Sequence, residues 1–164
     1  MLKSIFYFIT LISLYFPALA DGHGKGKIHL EGFGSWSINV MNAGNGNLSI
    51  TYDGLFSGMA LNGTKFANNT SIQCLGGLTT SKGKFTDESG FCKFLFSDGD
   101  TAFIRYLGSG QVGKSGSAKF EFIGGTGKLK NISGEGTVTR TQIKAAMKGF
   151  SQSRNIFIGN YSLK

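Results

Sequence analysis

The sequence is poor in proline, histidine and cysteine, with one Pro, two His and two Cys among its 164 residues. The single proline, Pro17, lies near the amino terminus, so no proline-rich linker divides the rest of the chain. Runs of serine or of like charge that could mark a second boundary are also missing. The chain from residue 21 onward is therefore expected to form one domain.

The shortage of histidine also limits the chemistry that the sequence predicts. His23 and His29 lie far from Cys74 and Cys92, and no C-x-x-C spacing occurs, so no zinc site is predicted. A catalytic serine or cysteine usually needs a histidine base, and neither histidine has a plausible partner. We therefore predict no catalytic residue and no metal-binding residue.

Two partial ligand-binding motifs are incomplete. A phosphate-binding loop ending at Lys128 would need glycine where Phe122 stands and serine or threonine where Leu129 stands. The segment Asp98-Gly99-Asp100 lacks the later ligands of a calcium loop. No cofactor and no cofactor-binding residue is predicted.

The amino terminus has the pattern of a signal peptide. Lys3 precedes an apolar run from Ile5 to Phe16, which ends in Pro17-Ala18-Leu19-Ala20. The run is shorter than a membrane-spanning helix, and its small residues match a cleavage site. We expect residues 1–20 to be a signal peptide, residues 21–164 to be the exported domain, periplasmic or secreted, and no transmembrane segment to remain after cleavage.

Export bears on the two cysteines. In an oxidising compartment an exclusive pair is more often a disulfide than two free thiols. The sequence therefore predicts a bond between Cys74 and Cys92.

Charge is unbalanced, with 17 Lys and Arg against nine Asp and Glu. Arg140, Lys144, Lys148 and Arg154 concentrate positive charge near the carboxyl terminus, and on one surface they could bind anionic polymers. No dense basic block is present, so we favour a solvated basic surface and predict no specific nucleic acid partner.

Alternation of apolar and polar residues with a period of two predicts several half-buried strands, and hence an all-β fold. Glu31, Asp53 and Glu121 fall on the polar phase. The apolar phase offers only two tyrosines and the cysteines as polar groups, so we expect it to serve packing or passive binding. The candidate core or lumen residues are Trp36, Tyr52, Phe56, Phe94, Phe96, Tyr106, Phe120 and Phe122.

Short turn segments separate these strands, as at Gly44-Asn45-Gly46 and Asn62-Gly63. Such residues tolerate the positive φ that a tight hairpin requires. Closely spaced strands joined by tight turns favour a small antiparallel β-barrel of about eight strands. A β-sandwich is the alternative, because periodicity does not distinguish open from closed sheets.

The segment from Phe120 to Thr137 contains Gly124-Gly125-Thr126-Gly127-Lys128 followed by Ile132-x-Gly134-x-Gly136. It resembles a signature of the allene oxide cyclase barrel-like proteins, which include the dirigent proteins. The chain resembles their small exported bacterial members more closely, because these also carry a cysteine pair followed by an aspartate-rich hairpin like Ser97-Asp98-Gly99-Asp100. The resemblance implies an eight-stranded barrel whose lumen, in the enzymatic members, shapes a hydrophobic substrate. It carries no catalytic residue over to this chain.

The leading hypothesis is an exported, non-enzymatic barrel that binds a small hydrophobic molecule or an envelope or extracellular partner. The first alternative is a cyclase-like or isomerase-like enzyme that acts on a hydrophobic substrate in the lumen. A glutamate or asparagine beside a tyrosine in the lumen would favour this enzyme, whereas a lumen filled by phenylalanine would not. The second alternative is a basic binder of anionic polymers. The sequence predicts no oligomeric state.

Overall fold

A computed structural model describes residues 24–164 as eight β-strands and one short 3-10 turn. The predicted signal peptide lies outside the described residues. The strands are β1 (Gly24–Gly44), β2 (Asn47–Ala60), β3 (Thr70–Ser81), β4 (Lys84–Leu95), β5 (Thr101–Gln111), β6 (Gly116–Gly125), β7 (Ser133–Ile143) and β8 (Phe150–Leu163).

The eight strands form one closed antiparallel barrel. Each strand pairs with its neighbour in sequence, and β1 also pairs with β8 from Gly24↔Leu163 to Ser37↔Phe150. Closure leaves neither β1 nor β8 as a free edge. The predicted eight-stranded barrel is confirmed, and the sandwich alternative is wrong, because a sandwich would divide the strands between two sheets.

The tight turn predicted at Gly44-Asn45-Gly46 is present, but the one predicted at Asn62-Gly63 is not, because residues 61–69 form a longer connection there. The β1–β2 turn places Gly44, Asn45 and Gly46 at φ values of 79°, 53° and 77°, the region that glycine and asparagine tolerate best. Asn62 and Gly63 also have positive φ, in the longer connection between β2 and β3.

The two ends of the barrel differ. The closed end, which carries the β2–β3, β4–β5 and β6–β7 connections, is filled by Phe66 and Leu129, both buried. The ring of Phe66 lies 5.5 Å from that of Phe96 and 4.7 Å from that of Tyr161. The open end carries the β1–β2, β3–β4, β5–β6 and β7–β8 connections, and a cavity lies there.

Side chains that alternate inward along the strands fill the space between the two ends. Of the eight candidate core or lumen residues, seven are buried, and Phe96 is partly buried beyond the end of β4. The seven are Trp36, Tyr52, Phe56, Phe94, Tyr106, Phe120 and Phe122.

Cys74 and Cys92 form a disulfide, as predicted. They lie directly opposite each other on β3 and β4, and both side chains face the interior. The bond closes a hairpin with a sequence separation of 18.

We predict that replacing both cysteines by alanine lowers the free energy of unfolding by about 2–4 kcal/mol, because the unfolded hairpin regains its freedom. Urea denaturation of the oxidised protein and of the double variant measures the difference. Peptide mapping without reductant is the control. Alkylation of both thiols in protein that was never reduced would contradict the pairing.

Candidate functional site

The candidate site is the interior of the barrel at its open end. A cavity of about 260 Å³, which we call the mouth, opens there between the four hairpin connections. Its walls are mainly apolar, and its base is formed by Trp36, Tyr52, Glu88 and Arg140. The apolar wall residues are Ile38, Val40, Leu48, Ile50, Leu78, Phe85 and Val112.

Glu88 is the most buried charged side chain of the site, with 2% exposure. It lies on β4 in phase with Gly90 and Cys92, which also face inward. A register shift between Phe85 and Glu88 places two outward residues in succession, so that both Phe85 and Glu88 point into the barrel. This bulge positions a carboxylate inside an otherwise apolar strand.

Arg140 lies on β7, which is not adjacent to β4 in the barrel, and its side chain reaches Glu88 across the lumen. Its Nη1 donates to Oε1 at 2.7 Å and its Nη2 donates to Oε2 at 3.1 Å. This two-bond geometry is the strongest form of an arginine–carboxylate pair. Burial alone would lower the pKa of Arg140, but the hydrogen bonds and negative charge of Glu88 outweigh it and raise that pKa.

Two tyrosines extend the polar network. The hydroxyl of Tyr106 donates to that of Tyr52 at 2.9 Å, and Tyr52 donates to Glu88 Oε1 at 2.9 Å. Burial raises the pKa of Tyr106 to about 12, and burial together with the nearby Tyr106 and Glu88 holds the pKa of Tyr52 far above its usual value. Both hydroxyls therefore stay protonated at neutral pH and act as donors.

Trp36 borders the network on the β1 side. Its Nε1 donates to the buried Ser153 hydroxyl at 2.8 Å, and Asn155 donates to the same hydroxyl at 2.9 Å. The guanidinium carbon of Arg140 lies 6.0 Å from the Trp36 ring centre, at the limit of a cation–π contact. Arg140 is thus fixed between an aromatic ring and a carboxylate.

Inward glycines make room for these large side chains. Gly76 lies opposite Tyr52, and Gly108 lies opposite Glu88. A Cβ at Gly76 would lie 2.8 Å from the Tyr52 hydroxyl, and one at Gly108 would lie 2.7 Å from Glu88 Oε2. Both distances are too short for an unstrained contact, so the cluster depends on glycine at these positions.

A second, smaller cavity of about 30 Å³ shares Trp36, Glu88 and Arg140 with the mouth. Its other lining residues include Cys74 and Cys92, so the disulfide borders it. This volume suits one or two water molecules or a small ligand group.

The polar groups of the interior correct the sequence-based expectation. Glu88, Arg140, Ser153 and Asn155 were not expected there, and the prediction that only the tyrosines and cysteines are polar inside is wrong. A sequence signal for Glu88 existed, because steps of two back from Cys92 reach Gly90 and then Glu88.

The sequence predicted that Glu31, Asp53 and Glu121 face outward, and the structure confirms this. Glu121 pairs with Arg105, and Glu31 pairs with Arg154, both on the outside of the barrel. Asp53 is exposed and accepts hydrogen bonds from Gln73.

The basic residues near the carboxyl terminus do not share a surface. Arg140 faces the lumen and is paired with Glu88, while Arg154 faces outward and is paired with Glu31. A surface formed by Arg140, Lys144, Lys148 and Arg154 together is therefore ruled out, because one of its members is inside the barrel.

Among residues 24–164 the structure has no cluster of three or more side chains suited to hold a metal ion. Within the same range, no helix has the length and apolar character needed to cross a membrane.

Comparison with known proteins found no matching family model. No curated protein matches the chain. Among solved structures, a pterocarpan synthase dirigent protein is similar over 95% of this chain and 100% of that chain, with 12% sequence identity and a TM-score of 0.49.

Proposed function

We propose that this protein is a non-enzymatic binding protein that holds a small, largely apolar molecule in the open end of its barrel. The observation that supports this most is the combination of an apolar mouth with a few buried polar groups at its base. Ligand pockets typically have this composition, in which apolar walls provide affinity and polar groups fix orientation. The mouth volume of about 260 Å³ suits a small ligand, or one whose tail extends past the rim.

Binding of the neutral fluorophore N-phenyl-1-naphthylamine tests this proposal. We predict that Leu78→Trp weakens binding at least about tenfold, because the larger side chain fills the space in the mouth that the fluorophore would occupy. Leu75→Trp is the matched control, because Leu75 lies on the same strand with 53% exposure and faces outward. Equal affinity of both variants and the native chain would contradict binding in the mouth. Mass spectrometry of an organic extract of natively purified protein would identify a bound compound directly.

A second candidate is an enzyme that acts on a hydrophobic substrate inside the barrel. Glu88 beside Tyr52, within a cavity, is the arrangement that favours it. Against it, the two carboxylate oxygens already accept three protein hydrogen bonds, so Glu88 is poorly placed to take a proton from a substrate.

A turnover assay on hydrophobic epoxides and phenolics distinguishes the two candidates. If the protein only binds, no turnover is expected. If turnover is found and Glu88→Gln abolishes it in folded protein, the proposed function becomes that of an enzyme and not of a binding protein. The outward variants Glu31→Gln, Asp53→Asn and Glu121→Gln are the controls, and their effect on affinity or turnover should be small, because these side chains lie outside the lumen.

Export belongs to the same proposal. The disulfide fits an oxidising compartment, and we expect cleavage after Ala20. Intact-mass analysis of the periplasmic or secreted fraction should show a chain that begins at Asp21. A cytosolic protein that retains Met1 would contradict export without affecting the binding proposal.

A further inference from the structure

The mouth cavity borders a side chain whose hydrogen-bonding capacity the protein does not fill. The Arg140 guanidinium has five N–H donors, and Glu88 accepts from two of them. Within residues 24–164 no other acceptor is bonded to it, and the side chain keeps 21% exposure where it lines the cavity. The hydroxyl protons of Tyr52 and Tyr106, in contrast, are used within the protein. At this point the cavity therefore offers hydrogen-bond donors.

The charge at the same point is already balanced. Glu88 is buried and pairs with Arg140 at 2.7 Å, so the two form a neutral unit. An anionic ligand at Arg140 would lie close to the Glu88 carboxylate, where low polarity makes the repulsion of like charges strong. Lys114 also lines the cavity, but it lies on the β5–β6 connection at the rim, where water and salt screen its charge.

We propose that the ligand is an uncharged molecule with an apolar body and an oxygen acceptor, such as a ketone or ester carbonyl, that receives a hydrogen bond from Arg140. This inference rests on the proposed binding function and specifies its ligand class. A neutral oxygen gains a bond to a charged donor without adding charge beside Glu88. The apolar wall, formed by residues such as Ile50 and Leu78, accommodates the body of the molecule.

Three naphthalenes of nearly the same shape test the inference: 2-acetylnaphthalene, 2-ethylnaphthalene and 2-naphthoate. Displacement of N-phenyl-1-naphthylamine at pH 8 gives the dissociation constant of each. We expect the ketone to bind the native protein at least about tenfold more tightly than the carboxylate, which is ionised at this pH. This comparison needs no variant and holds even if substitutions in the cluster impair folding.

The contribution of Arg140 is measured as the dissociation constant of 2-ethylnaphthalene divided by that of 2-acetylnaphthalene. In the double variant Glu88→Leu/Arg140→Met, which removes both charges and keeps similar volume, this ratio should fall about tenfold. Arg154→Met is the matched control, because Arg154 lies outside the barrel and pairs with Glu31, and it should leave the ratio unchanged.

The outcomes separate this inference from the proposed function. If none of the three compounds binds and the fluorophore does not bind either, the proposed function fails and this inference fails with it. If the compounds bind, two results would contradict only the assignment of a neutral acceptor. One is that the carboxylate binds as tightly as the ketone or more tightly. The other is that the ratio of dissociation constants is the same in the double variant as in the native protein.

Discussion

Arg140→Ala is expected to lower the free energy of unfolding by about 3–5 kcal/mol, because it leaves the buried carboxylate of Glu88 without its charged partner. Tyr52 would remain as a hydrogen-bond donor to Glu88, but a neutral hydroxyl does not compensate a full charge. Urea denaturation followed by circular dichroism measures the loss.

Two further variants distinguish this cause from a general effect of losing an arginine. Arg154→Ala removes an outward arginine with 50% exposure from its pair with Glu31, and should cost no more than about 1 kcal/mol. Glu88→Leu/Arg140→Met removes both charges and should recover most of the loss, since an apolar pair of similar volume often replaces a buried ion pair at little cost. A double variant as unstable as Arg140→Ala would show that the ion pair itself stabilises the barrel.

Much of the barrel could be predicted from the sequence because its local signals agree with one another. Alternation on β2, β5 and β6 marks the inward residues, and asparagine and glycine occupy the turns. The hydrogen-bonded pairing of β1 with β8 depends on closure of the whole sheet, which alternation within a strand does not encode.

The polar base of the cavity was harder to predict, for two physical reasons. On β4, Phe91 faces outward with 56% exposure while Cys92 faces inward, so apolar character alone does not identify the inner face. A charged residue on the inward phase is also costly unless it has a partner. The partner of Glu88 is Arg140, 52 positions away in sequence, and only the closed barrel brings the two together.

Consequently the sequence led to the correct phase for Glu31, Asp53 and Glu121 and to a wrong location for Arg140. The outward carboxylates alternate with apolar neighbours that are unmistakably buried, such as Leu30 and Tyr52. On β7 the residues beside Arg140 are threonines, and the two apolar residues of the strand, Val138 and Ile143, fall on opposite phases, so alternation does not identify the inner face.

Phe94→Ala should also lower the free energy of unfolding by about 3–5 kcal/mol, because it removes a large side chain from the centre of the barrel and leaves a cavity. Phe94 is 2% exposed, and its ring lies 5.9 Å from that of Phe157, which is on β8. The contact therefore links β4 to β8 through the interior. Urea denaturation measures the loss.

The matched control is Phe91→Ala, which removes the same side chain from the same strand but from its outer face. Phe91 is 56% exposed, so its loss should change stability by no more than about 0.5 kcal/mol. The difference between the two variants measures what inward placement contributes at β4, independently of the strand propensity of phenylalanine. Equal losses would mean that the outer face of β4 is buried in solution, and that a partner or a second copy of the chain covers it.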